Sequence, residues 1–142
     1  MNANQLKQLV LDSFAAEKAS DAKTGLTLVH PDIKITEMNV GSDGRAFYSE
    51  SGQALRDEIE GTFQITTRDY QFVHVMADVE TQSVMVEFVE SYLDEDTGQY
   101  FRTPIVAVCE IKDGLIFRTR HYTDNRLSHL YLDQTAIDEA LS

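Results

Sequence analysis

The sequence predicts an α+β fold in which amphipathic helices precede a series of antiparallel strands, and three observations carry that expectation. Leu6, Leu9, Val10 and Phe14 recur at helical spacing near the start of the chain. From Ile33 the apolar period changes to two. Between Asp69 and Thr123 four runs rich in Val and aromatic residues follow one another, separated by short turn sequences. The 142 residues suit one domain spanning 1–142, long enough to bury a core without disulfides or metal. Hydrophobic residues at 42% and charged residues at 25% argue against disorder and coiled coil.

In chain order, Asn4 to Ala19 reads as one helix, with Gln, Lys and Asp on its polar side. Ser20 and Asp21 cap a second, shorter helix running to about Val29, and Pro31 ends it, making His30-Pro31-Asp32 a corner. A first strand follows with Ile33, Ile35 and Glu37 on one face and Lys34, Thr36 and Met38 on the other. Gly41-Ser42-Asp43-Gly44 breaks it, and the polar Ser49-Glu50-Ser51-Gly52 stretch leads to a short helix from about Gln53 to Thr62, with Leu55 and Ile59 inward.

The strands Asp69 to Val79 and Ser83 to Tyr92 flank a hairpin-length gap. Asp94-Glu95-Asp96-Thr97-Gly98 turns into a strand from Tyr100 to Lys112, and Asp113-Gly114 into a last one from Leu115 to Thr123. Asp124 to Ser142, with Leu127, Leu130, Tyr131, Ile137 and Leu141, reads as an amphipathic C-terminal helix or arm.

A net charge of -12, from 12 basic and 24 acidic residues, repels phosphate backbones, so no nucleic-acid partner is expected. The densest basic spot, Arg118, Arg120 and Arg126 with His121 and His129, reads as a charged outer or interface face. Cys109 lies in an apolar run and reads as a buried, inert thiol. Met1 to Val10 lacks a signal-peptide pattern, and no stretch approaches the roughly 18 apolar residues of a membrane span. A cytoplasmic protein without a membrane partner is the expectation.

The order helix, helix, strand, short helix, strand meander resembles the nuclear transport factor 2-like superfamily over nearly the whole chain. The stretch from Thr103 to Ile116, with its Asp113-Gly114 turn, followed by Arg118-Thr119-Arg120-His121-Tyr122-Thr123-Asp124, is similar to the last two strands of the SnoaL-like polyketide cyclase and limonene epoxide hydrolase branches. There the hairpin ends in an Arg-Asp-Tyr-x-Asp pattern. The resemblance implies a cone-shaped α+β barrel, with a curved antiparallel sheet wrapped around N-terminal helices. It also implies a pocket on the concave face and a homodimer through the convex face, which here would carry Val89, Arg118 and Arg120.

Alternation on the strand Ser83 to Tyr92 places Val84, Val86 and Phe88 on one face with Glu90 and Tyr92. The resemblance to the epoxide hydrolase branch sets Phe88 where a Glu-Arg-x-Asp pattern has its Arg, and Glu90 where it has its Asp. On the last strand Leu115, Phe117 and Thr119 alternate with Arg118 and Arg120, which turns His121 inward. His121 stands at the first acidic position of the Arg-Asp-Tyr-x-Asp pattern, and an imidazole moves protons near neutral pH.

Glu90 and His121 are therefore the candidate catalytic pair, with Val86, Phe88, Tyr92, Phe117, Thr119 and Glu37 as candidate ligand contacts. The alternative is that Glu90 and His121 are polar groups satisfied structurally, by other partners or by each other. Glu37 lies near the first-strand aspartate of ketosteroid isomerase-like relatives, but alignment on Val40-Gly41-Ser42 puts Met38 there, and Glu37 also reads as a solvated strand-end residue. Tyr92, Tyr122, Tyr48, Phe47 and Tyr70 are pocket or interface aromatics, of which Tyr92 is the one favoured for the pocket. Asp124 reads as a backbone-bonding or helix-capping residue.

No G-x-G-x-x-G, P-loop, G-x-S-x-G or H-E-x-x-H motif occurs, and the four histidines are scattered, so neither cofactor nor metal is expected. Two functions fit: a cofactor-independent isomerase or cyclase moving a proton on a small apolar carbonyl- or ring-bearing metabolite, or a non-catalytic ligand-binding or interaction module. Nuclear transport itself has no specific support.

Overall fold

The structure, a computed structural model, describes residues 1–39, 48–124 and 134–142. Helix α1 (Ala3–Lys18) starts at a capping box: Asn2 accepts from the Gln5 amide, and Gln5 accepts from the Asn2 amide. Its apolar stripe buries Leu6 and Val10 completely. Asp21 caps α2 (Ala22–Thr27) through the Thr24 amide. Helix α3 (Gly52–Thr62) buries Leu55, and Phe63 at its end packs against Gly25 of α2.

Among the described residues six strands form one open sheet: β1 (Val29–Met38), β2 (Tyr48–Ser51), β3 (Asp69–Asp78), β4 (Ser83–Asp94), β5 (Gln99–Lys112) and β6 (Leu115–Thr123). Their order is β2-β1-β6-β5-β4-β3, so β2 and β3 are the edges. Strands β3 to β6 are an antiparallel meander. Asp113 and Gly114 both have positive φ, 53° and 77°, the geometry the tight β5–β6 turn requires. Strand β1 lies antiparallel to β2 but parallel to β6, so the expected antiparallel sheet holds one parallel pair.

Helix α1 packs on β3 and β4, and α3 on β1 and β2. Between them and the concave face sit Leu6, Val10, Ile33, Leu55, Val84, Val86 and Phe88. At roughly 2 kcal/mol for each large apolar side chain removed from water, this cluster is a principal source of stability.

Several boundaries differ from the sequence expectation. Strand β1 starts at Val29, so His30-Pro31-Asp32 is an irregular stretch of strand with a register shift between Val29 and Lys34, where a missing N–H is tolerated. The polar Ser49-Glu50-Ser51 stretch is part of edge strand β2, paired with Thr36, Ile35 and Lys34; backbone pairing at an edge needs no apolar side chains. In the expected C-terminal helix or arm the described residues hold a helix, α4 (Gln134–Leu141); Leu127, Leu130, Tyr131, Arg126 and His129 lie outside the described residues, as do Gly41 to Gly44 and Phe47. Asp124 directly follows β6.

On the convex face, α4 packs on β5, where Arg102 donates to Asp138 at 3.0 Å. Val89 is buried within one copy at 1% exposure, so it offers no free surface to a second copy. Arg118 and Arg120 both engage Glu110, which moderates the basic spot seen in the sequence. Among the described residues, no helix is long and apolar enough to cross a membrane, and no group of three His, Cys, Asp or Glu side chains is placed to hold a metal ion.

Candidate active site

A cavity of about 380 Å³ opens between the concave sheet face and the helices, within the roughly 300–1,000 Å³ range of small-molecule sites. Its apolar wall includes Phe14, Ile33, Ile35, Leu55, Phe88 and Ile105. Phe14 of α1 meets Tyr70 and Phe88 edge-on, at 4.8 and 4.9 Å between ring centroids, which fixes that wall as an aromatic corner. The carboxylates and basic groups of the lining are Glu17, Glu37, Glu50, Glu58, Arg68, Glu90 and His121.

Glu90, on β4, lies opposite Tyr70 of β3 and Thr103 of β5. Its carboxylate accepts from Nη1 of Arg68, the residue just before β3, and the same nitrogen lies 3.1 Å from Oε1 of Glu17 at the end of α1. All three side chains are largely buried, at 11% exposure for Arg68, 17% for Glu90 and 23% for Glu17. Burial pushes the Glu90 carboxyl above the usual range; the Arg68 charge opposes it, but the shift stays upward with the Glu17 charge nearby. The buried Tyr70 phenol is also pushed far up, by burial and by the charges of Glu17 and Glu90. The Arg68 guanidinium stands 5.9 Å from the Tyr92 ring centroid, and Tyr92 stacks on Phe101 at 5.1 Å.

His121 forms the second polar station. The parallel pairing of β1 with β6 sets Glu37 beside His121, and His121 Nδ1 lies 2.7 Å from Glu37 Oε1. Burial disfavours the imidazolium, but the hydrogen bond and charge of Glu37, with Glu90 and Glu17 behind it, outweigh that cost and raise its pKa. With Nδ1 engaged, Nε2 is the ring nitrogen left to meet a ligand.

Of the residues singled out from sequence, Glu90, His121, Glu37, Phe88, Tyr70, Tyr92 and Thr119 line this cavity. Glu90 and His121 do not pair with each other; each has its own partner, Arg68 and Glu37. Their positions on β5, opposite Thr103 and Ala107, are four residues apart, or about 13 Å along the strand. Val86 points to the same side but is completely buried in the core beneath α1 rather than in the cavity wall.

Phe117 is not in the wall. A register shift falls where Ile111 pairs with Ile116 and Glu110 with Arg118, so the alternation changes phase: Ile116 and Thr119 face the cavity, and Phe117 packs against His30 and Lys112. Thr119 donates to Cys109 Sγ at 3.8 Å, and burial pushes the Cys109 thiol up to about 11. Tyr122 is exposed on the opposite face, beside Met38.

Sequence reasoning missed Arg68 and Glu17. Arg68 precedes the periodic part of β3, and Glu17 reads as one polar residue among several on α1. The departure at Phe88, which removes an arginine from β4, is matched by an arginine that reaches Glu90 from outside that strand.

No family model and no curated protein matches the sequence. Solved structures do. A nuclear transport factor 2-like protein from Burkholderia xenovorans LB400 superposes with a TM-score of 0.69 at 17% identity, covering 94% of this chain and 99% of that one. SalBIII, described as an epoxide hydrolase/cyclase-like enzyme in pyran ring formation in polyether salinomycin, gives 0.70 at 17% identity over 84% of this chain and 91% of its own. An LEH-like epoxide hydrolase of Mycobacterium tuberculosis gives 0.71 at 16% identity, covering 98% and 97%. Identities this low speak to architecture alone. Sheet order, helix placement and these superpositions agree: the chain has the nuclear transport factor 2-like fold.

Proposed function

We propose that the cavity is the active site of a cofactor-independent isomerase or cyclase that moves a proton on a small apolar carbonyl- or ring-bearing metabolite. The observation that carries this reading is an apolar cavity ending in two separate ionisable stations, Glu90 with Arg68 and His121 with Glu37. Both Glu90 and His121 are shifted upward. With Glu90 ionised and His121 protonated, the first is a carboxylate of raised basicity and the second an imidazolium, which is a base and an acid facing one ligand space.

In this mechanism Glu90 takes a proton from the carbon next to a carbonyl, while His121 gives its Nε2 proton to the carbonyl oxygen. In a β,γ-unsaturated ketone the resulting dienol takes the Glu90 proton at its far carbon while its hydroxyl returns a proton to His121, which is an isomerisation. In a dicarbonyl the enol carbon attacks the second carbonyl carbon of the same molecule, whose C=O π bond breaks. The oxygen of that carbonyl takes the Glu90 proton while the enol hydroxyl returns its proton to His121, which closes a ring. Glu37 stabilises the imidazolium and fixes the ring, and the apolar wall packs against the carbon skeleton of the enol. The similarity in fold to an epoxide hydrolase/cyclase-like enzyme is compatible with this chemistry.

The second reading, ligand binding without turnover, is favoured by one observation: Glu90 and His121 are already hydrogen-bonded within the chain, as members of a structural network would be. Hydrogen–deuterium exchange separates the two. In deuterium oxide, the protein should accelerate exchange at the α-carbon of at least one member of a panel of mono- and bicyclic ketones, and Glu90→Gln and His121→Asn should each abolish the acceleration. Ketones that bind without any exchange above buffer would establish the binding module instead.

The proposal extends to a homodimer across the convex face, supported by the exposure there of Met38, Met76 and Tyr122 at 38%, 48% and 44%. Sedimentation that shows only monomer at high micromolar concentration would refute it.

A further inference from the structure

The Glu90 station holds one cation and two carboxylates. Arg68 Nη1 donates to Glu90 Oε1 and lies 3.1 Å from Glu17 Oε1, so a single nitrogen serves both acids. Glu17 comes from the last turn of α1, and the neighbouring Lys18 bonds Asp69 at the start of β3, which clamps this helix end beside Arg68. Glu17 is itself largely buried where α1 packs on β3.

The geometry points to Glu17 as a positioning residue for Glu90: by engaging the Arg68 nitrogen from the other side, it keeps the guanidinium from neutralising the Glu90 carboxylate and holds that carboxylate as the base of the cavity. This rests on the reading of Glu90 as the proton acceptor. An arginine paired with Glu90 alone would stabilise its charged form and weaken it as a base. A second carboxylate on the same nitrogen divides that pull and adds a like charge nearby, both of which favour the protonated form of Glu90.

The groups that act on Glu90 come from several elements. They are Glu17 on α1, Arg68 before β3, His121 on β6 and Glu37 on β1, with Tyr70 opposite on β3, Thr103 opposite on β5, and Tyr92 on its own strand facing the same cavity. Among them Glu17 raises the Glu90 carboxyl, along with burial and Glu37, while Arg68 and His121 lower it. Glu17 reaches Glu90 through a shared ion-pair partner, Arg68. Tyr70 is coupled to Glu17 as well, so the α1 end joins β3 and β4 through one small network.

The test needs no substrate. Glutamate labelled with ¹³C at the side-chain carboxyl allows Glu90 to be followed by NMR as pH is varied, its signal identified by its loss in Glu90→Gln. In the unaltered chain Glu90 should titrate above the ordinary glutamate range. In Glu17→Gln and in Glu17→Ala its midpoint should fall by about one pH unit, because Arg68 is then left to Glu90 alone. In Arg68→Met it should move the opposite way. His121, which Glu37 holds directly, should move less than Glu90 in the Glu17 variants.

A purely structural Glu17 would lower the unfolding midpoint without displacing the Glu90 titration downward. An unchanged or raised Glu90 midpoint in the two Glu17 variants overturns the proposal. Should neither variant fold, Glu17→Asp, which keeps the charge but shortens its reach to Arg68, decides: a fall in the Glu90 midpoint sustains the proposal and an unchanged or raised midpoint overturns it. The result is independent of ketone exchange, so a chain that moves no proton on any ketone can still show the shift, and the two readings fail separately.

Discussion

His121 Nδ1 lies 2.7 Å from Glu37 Oε1 across the parallel β1–β6 pairing, joining residues 84 positions apart in the chain. The pair raises the His121 pKa against the effect of burial. Glu37→Gln should therefore bring the imidazole titration down towards the ordinary His value, read from the ring-proton shifts of His121. Because the folded pKa is above the unfolded one, the pair's stabilisation is complete below the unfolded value near 6.5 and is lost as pH rises through the folded pKa. The urea midpoints of the native and Glu37→Gln chains should differ most at about pH 5.5 and converge at alkaline pH. An equal difference at both ends would refute the assignment.

Arg68 is the counter-ion to two carboxylates in a largely buried cluster. Arg68→Met leaves Glu17 and Glu90 facing each other without it, which should cost about 3 kcal/mol at neutral pH. Glu90, already shifted upward, would be raised further, so the folded state should favour its protonated form and the loss should grow as pH rises. Urea unfolding at about pH 5 and about pH 8 checks both points, the smaller destabilisation being expected at the acid end. A loss that is greater at the lower pH would contradict the charge sharing.

Gly25 leaves room for Phe63. A Cβ at this position would overlap the Phe63 ring, which lines the cavity between α2 and the sheet. Gly25→Ala should cost about 1–3 kcal/mol through overpacking, in spite of the better helix propensity of Ala. The displaced ring should also narrow the cavity. Thermal unfolding measures the first effect, and the second appears as weaker binding of bulky ketones than of small ones. Substitution with no loss of stability would mean that α2 and α3 slide apart freely.

What the sequence disclosed follows from which parts of the fold are periodic. The regular run of β4 puts Phe88, Glu90 and Tyr92 on one face, and the structure has all three on the cavity. The four-strand meander is legible for the same reason, since each strand is long and each turn short. A bulge has no sequence signature in Ile116-Phe117, and it reverses the side on which Phe117 lies. The parallel pairing that brings Glu37 to His121 depends on a crossover between segments far apart in sequence, which no local period encodes. Arg68 and Glu17 meet Glu90 from a turn and a helix end, where spacing carries no information about the partner.

The phase reversal in β6 makes a direct prediction, because it gives two neighbouring residues opposite roles. Phe117 packs edge-on against the His30 ring at 5.1 Å and beneath Lys112 at 4.9 Å, on the side away from the cavity. Thr119 is 6% exposed and lines the cavity, its hydroxyl bonded to Cys109. Phe117→Leu should therefore leave the affinity for a bound ketone within about twofold, while Thr119→Leu places extra carbons in the wall and should weaken it about tenfold, equivalent to about 1.4 kcal/mol. Ligand-detected NMR titration of one ketone against the three proteins reads the difference. If Phe117→Leu were the variant that lost affinity, the strand would keep its simple alternation in solution and the bulge would not set the cavity wall.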